Sequence, residues 1–174
     1  MRSRTGLPAL AVAMGVCLTA CSTDAAEYQD DYARHEPLHV VGYPSTGSLD
    51  VVQRVVWRLA DGDAEALAAL AVEDGSPDAT ARNWVRAFGA AAQGEVTADF
   101  YDEGSLRQVV VLYFAKNGRS KEIEARIGAD GSWGITMDEP DPDEAAATPG
   151  WAPDEPGGTG SRSGASHSPA APQR

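Results

Sequence analysis

The chain has 174 residues, with 26 Asp and Glu against 14 Lys and Arg and a formal net charge of -12. That length allows one ordinary domain rather than two, and the acidic balance excludes nucleic-acid binding through a basic footprint. Both cysteines, Cys17 and Cys21, lie near the N-terminus, which excludes a disulfide framework or a cysteine-based metal site in the folded part.

Arg2 and Arg4 form a short positive region, and Leu7 to Leu18 follows without a charge. At ~1.5 Å per residue this run makes about 18 Å of helix, short of a hydrocarbon core of ~30 Å. The layout therefore predicts a secretory signal peptide over residues 1–20 rather than a membrane span. Its end, Leu18-Thr19-Ala20-Cys21, resembles the lipobox of bacterial lipoproteins: an aliphatic residue, two small ones and a cysteine. The resemblance implies cleavage after Ala20, a diacylglyceryl group on the Cys21 sulfur, and attachment to the extracytoplasmic side of the cell membrane. The other reading is an ordinary secretion signal followed by a chance cysteine.

Residues 21–43 carry Asp24, Glu27, Asp30, Asp31 and Glu36 against Arg34 alone, with no helical or strand period, and are expected to form an acidic tether. The periodic apolar residues fall within 44–137, the expected domain. Ser48 can cap a helix over 49–60, where Val52, Val55, Val56 and Leu59 make one apolar face. Asp61-Gly62-Asp63 ends it, and Asp63 caps a short Ala-rich helix over 64–72. A third helix, about 80–92, presents Ala81, Trp84, Val85 and Phe88 together.

The period then changes to that of strands. Val96, Ala98 and Phe100 alternate with Thr97, Asp99 and Tyr101, and Val109 to Phe114 is an unbroken apolar run suited to a central strand. Asn117-Gly118 predicts a hairpin with positive φ at both central positions. Ile123, Ala125 and Ile127 alternate with Glu122, Glu124 and Arg126, and after a turn at Ala129-Asp130-Gly131 a last strand holds Trp133, Ile135 and Met137. The expected class is α+β: three N-terminal helices packed on one face of a four-stranded antiparallel meander. Inward positions by parity are Val96, Ala98, Phe100, Val110, Leu112, Phe114, Ile123, Ala125 and Ile127, with the opposite choice open for 109–113.

This pattern resembles the NTF2-like (cystatin-like) superfamily, closest to small lipoprotein and SnoaL-like versions. The residues that carry the resemblance are Val55 to Asp74 with Leu59-Ala60-Asp61-Gly62-Asp63 between two helices, and Trp133-Gly134-Ile135 on the last strand. Catalytic members of that superfamily place an Asp or His, often with a Tyr, inside the cone. Here His35 and His39 fall in the tether and His167 in the tail, and no inward strand position is ionisable, so no catalytic residue, metal site or cofactor is assigned. Asp99, Asp102, Glu122 and Glu124 read as outward-facing charges. A SnoaL-like enzyme would need Asp99 or Asp102 with Tyr101 or Tyr113 in a cavity.

Trp57 falls beside the apolar helix face rather than within it, and is a candidate pocket or interface residue. Val109, Val111 and Tyr113 would line a half-apolar sheet face with no helix to cover it, a surface for weak homodimerisation or an envelope partner. Residues 138–174 hold seven prolines and five glycines and no apolar run, so a disordered tail is expected. Its acidic stretch, Asp138 to Glu144, is broken by Pro140 and Pro142 and reads as solvated charge. Trp151 is the odd residue there, neutral or a short docking motif. The function these features suggest is a lipid-anchored binding or interaction module; an accessory lipoprotein without a ligand, or the SnoaL-like enzyme, is the alternative.

Overall fold

Local chemistry fixes most element boundaries. The computed structural model describes residues 23–72, 75–102 and 105–158, so the expected signal segment over 1–20, Cys21 and residues 159–174 lie outside the described residues. The chain divides into two units, one ending at Arg34 and the other beginning at His35. In the first, helix α1 (Thr23–Arg34) occupies a stretch expected to be aperiodic tether. Within it, Tyr28 stacks on Tyr32 one turn on, and Arg34 reaches back to Asp30 at 3.8 Å.

The second unit opens with strand β1 (His39–Gly42), also in the expected tether. Its entry is fixed by the Leu38 amide, which donates to Gln53 Oε1 at 3.2 Å. Helix α2 (Thr46–Asp61) begins one turn earlier than the expected 49–60 because the cap is Ser45, whose hydroxyl oxygen accepts from the Ser48 amide. Ser48 is buried instead, donating to Gln108 Oε1 at 2.6 Å. Gly62, at φ 73°, ends the helix in the left-handed conformation that costs glycine least. Asp63 then caps α3 (Ala64–Ala68), its carboxylate accepting from the Ala66 amide at 2.9 Å. This helix stops short of the expected Val72 because Ala71 leaves it to bridge Ile135 in parallel. Pro77 sits at the start of α4 (Pro77–Ala92), where its missing N–H is not needed.

Strands β2 (Val96–Asp102), β3 (Arg107–Phe114), β4 (Arg119–Ile127) and β5 (Trp133–Ile135) follow as the expected antiparallel meander. The sheet is nonetheless five-stranded and mixed, in the order β1-β2-β3-β4-β5, because β1 adds in parallel to β2 with Val40 opposite Ala98. The β3–β4 connection also differs from expectation: only Gly118 has positive φ, and Asn117 instead accepts from the Arg119 amide through its side chain. A short helix α5 (Pro142–Ala145), capped by Asp141, follows the sheet.

The core lies between the sheet and α2 and α4. Val55, Leu59, Trp84 and Phe88 meet Val96, Ala98, Phe100, Val110, Leu112, Phe114, Ile123 and Ala125, so the parity first chosen for 109–113 holds. Phe88 and Phe114 stack at 5.1 Å between ring centroids. Two cations on β4 complete that face near the hairpin. Arg119 lies 4.6 Å from the centre of the Phe88 ring and donates to the carbonyls of Ala87 and Ala146, tying α5 to α4. Lys121 sits 5.1 Å from the centre of the Trp84 ring.

Candidate functional site

The opposite face of the sheet gathers the polar and aromatic side chains. Register places Asp99, Val111 and Glu122 in one row across β2, β3 and β4, and Tyr101, Val109 and Glu124 in the next. Residues two apart on a strand share a face, so Tyr101 can donate its phenolic proton to Asp99 Oδ2, at 3.0 Å. Burial holds the Tyr101 phenol well above the ordinary range, and the hydrogen bond and charge of Asp99 and the neighbouring Tyr113 push it the same way. Asp99 itself is only 4% exposed. A charge so buried is tolerated where it is hydrogen-bonded, and here its second donor comes from far along the chain: the Gly157 amide, 2.8 Å from the same oxygen.

That contact belongs to a strap of residues 150–158. The Trp151 indole N–H donates to Glu122, and its ring meets Tyr101 edge-on at 4.9 Å and 79°. Tyr113 donates to the Pro153 carbonyl at 3.1 Å. Ala152 and Pro153 are buried. At Gly157 (φ 70°) a Cβ would stand 3.3 Å from Val41. The strap thus crosses the sheet from β4 over β3 to β2 and β1.

Three expectations are corrected here. Val109, Val111 and Tyr113 do not form an open face: Val111 is fully buried and Tyr113 is hydrogen-bonded to the strap. Residues 138–158 are not a loose tail, because a few anchors (Trp151, Ala152, Pro153) and main-chain hydrogen bonds seat a segment that has no apolar period. Asp99 does point away from the helices, but it is buried rather than solvated.

Residues 138–149 also wall a cleft of about 400 Å³ against α4 and β4. Lys121, 4% exposed, donates to both carboxylate oxygens of Glu139, and Oε2 also accepts from the Trp84 indole N–H at 2.6 Å. The Glu139 amide in turn donates to Thr80 Oγ1 at 2.8 Å. Glu139 is therefore the half-buried partner of a buried lysine, not part of a solvated run. Four more carboxylates, Glu122, Glu124, Asp138 and Glu144, line it beside neutral residues such as Ile123, Thr136 and Pro149. Among the described residues no group of three His, Cys, Asp or Glu side chains is arranged to hold a metal ion.

Trp57, the other expected interface residue, is 1% exposed and lies under the His35 ring, stacked at 5.6 Å, with His35 Nε2 2.9 Å from Asp61. The Asp–Tyr pair that an enzyme reading requires does form, between Asp99 and Tyr101, but on the face away from the helices and not between helices and sheet. Asp102 closes β2. Sequence reasoning missed Asp99 as a buried group, Lys121 as a core cation and Glu139 as its partner. The available signal was Trp151, a tryptophan without local reason to be there. No protein-family model, curated protein or solved structure matches the chain. No described helix is long and apolar enough to cross a membrane.

Proposed function

We propose that the chain is a lipoprotein, held through acylated Cys21 on the extracytoplasmic side of the cell membrane, and that its α+β unit is a protein-interaction module of NTF2-like build. The anchor reading rests on Leu18-Thr19-Ala20-Cys21 after an uncharged run. A single acyl chain binds membranes only marginally, and the two chains of a diacylglyceryl group make attachment stable. The NTF2-like reading is supported by the α2-Gly62-α3 junction, by α4 preceding the meander, and by Ala71 pairing with Ile135.

The observation that carries the interaction reading is the far face of the sheet, whose carboxylates and phenols are engaged with polypeptide: a carbonyl, an amide and one indole. The cleft of about 400 Å³ favours a second reading, a small-ligand site, because pockets of roughly 300–1,000 Å³ suit such ligands and the cleft's carboxylates suit a cationic one. The SnoaL-like alternative would use Asp99 and Tyr101 once the strap had left them.

Detergent phase partitioning with intact-mass measurement tests the anchor. The native product should enter the detergent phase with a diacylglyceryl mass on Cys21, and Cys21→Ser should move it to the aqueous phase with its fold intact. A bare Cys21 in a diffusible product overturns the anchor.

A further inference from the structure

We propose that the sheet face carrying Asp99, Tyr101, Tyr113 and Glu122 is a recognition surface for an extended peptide with a tryptophan and spaced prolines, and that residues 150–158 occupy it as a built-in competitor. The inference rests on the interaction-module reading above and adds to it the chemistry of the partner and the means of control.

The strap has almost no structure of its own. Its one internal main-chain bond is a turn, the Gly158 amide donating to the Glu155 carbonyl at 3.1 Å. Its course is set by the face beneath it. Three of its anchoring contacts use groups that another peptide could supply: a carbonyl after a small residue, an amide at a glycine, and an indole N–H. Pro149, Pro153 and Pro156 fix φ at three positions before the segment docks, so less conformational freedom is lost on binding. Tyrosine and tryptophan faces are the usual platform for such segments.

The face also keeps chemistry that a permanent cover would not need. Burying Asp99 is tolerated only through its two donors, one of them the strap amide. When the strap lifts, that carboxylate returns to water, which offsets part of the cost of opening. Ser120, opposite Tyr113 on β4 and facing the same way, is 1% exposed, and its hydroxyl has no hydrogen-bond partner. With the strap in place one buried polar group on this face is thus unmatched, a position that a better-fitting peptide can satisfy.

Tethering gives the strap an effective concentration on the order of millimolar, so a free peptide of equal intrinsic affinity binds the intact chain weakly and the released chain well. The test uses the full chain, the same chain with Trp151→Ala and Gly157→Pro, and a labelled peptide with the sequence of residues 147–158, read by fluorescence anisotropy. Gly157→Pro removes the donor to Asp99 and cannot adopt φ 70°. The released variant should bind the peptide at least about tenfold more tightly than the intact chain, should not bind a scrambled peptide, and should lose most of that affinity when Asp99→Asn and Tyr113→Phe are added. Equal binding by intact and released chains, or equal binding of the scrambled peptide, overturns the proposal.

Should the released variant fail to fold, millimolar peptide added to the unaltered chain gives the same answer by amide exchange. Exchange at residues 150–158 should accelerate while that of β3 stays slow, and no acceleration overturns the proposal. Either failure leaves the Cys21 partitioning result standing, so the anchor and the recognition surface are judged separately.

Discussion

One sheet is covered on its two faces by different means. Toward α2 and α4 the cover is regular and dry: helical residues three and four apart supply the apolar side chains, and Phe88 stacks on Phe114. Toward the strap the cover is irregular, a proline- and glycine-containing segment seated by one tryptophan and a handful of hydrogen bonds around Asp99, Tyr101 and Tyr113. The helical cover gains its free energy from area and close packing, so it fails only with the whole fold. The strap gains much of its own from contacts that water or another peptide can replace, so it can open alone.

The sharpest way to break this comparison is to cut equally into both covers. Phe114→Ala should lower stability by about 3–5 kcal/mol in urea unfolding, since it removes a ring from a filled interior. A loss under about 1 kcal/mol would mean that the helix face is not the filled interior described here. Next comes the cation at the end of that face. Lys121→Ala strips Glu139 of its charge partner, and breaking a fully buried pair costs about 3–5 kcal/mol. The Glu139 side chain is 27% exposed and retains the Trp84 N–H, so about 2 kcal/mol is expected. Replacing both residues, Lys121→Met with Glu139→Gln, should recover about half of that loss, because no lone charge remains.

On the strap side the numbers shrink. Trp151→Ala removes an edge-on ring contact and one hydrogen bond at a partly exposed residue, and should cost only about 1 kcal/mol of global stability. Its signature is local: amide exchange at Gly157 should rise much more than that of the core strands. A cooperative loss of several kcal/mol would place the strap in the same folding unit as the helices and remove the contrast.

The smallest effect is a pH slope. The Tyr101 phenol ionises above its ordinary value of 10.0 in the folded chain, because burial and Asp99 oppose the phenolate. Its contribution to stability is therefore complete below pH 10 and declines as pH rises above it, where the unfolded chain gives up the proton first. Thermal unfolding followed from pH 9 to about 11.5 should show this decline, and Tyr101→Phe should flatten it. An unchanged slope would mean that Tyr101 is not shielded by the strap.

The helix face was readable because its order is periodic. Val52, Val55, Val56 and Leu59 at helical spacing, and Val96, Ala98 and Phe100 at strand spacing, point to one interior whatever lies on the other side. Errors at the ends of elements had two sources: close by, Ser45 rather than Ser48 captures a free amide of α2, and far along the chain Ile135 draws Ala71 into a bridge where a helix was expected. The face bearing Asp99 was partly readable. Alternation put Asp99, Tyr101, Val111 and Tyr113 together, but nothing local states that a segment some fifty residues later will bury them. Likewise β1 has only four residues, and its pairing with β2 joins positions nearly sixty apart.

By itself the sequence determined the α+β class, the helix and strand faces of the main layer pair and most turns, because these depend on spacing, caps and backbone preference within a few residues. The tertiary structure alone decided that β1 joins the sheet, that Lys121 finds Glu139, and that residues 150–158 close over Asp99. Those outcomes turn on a few specific contacts between distant residues, and contacts of that kind leave no period in the chain to be read.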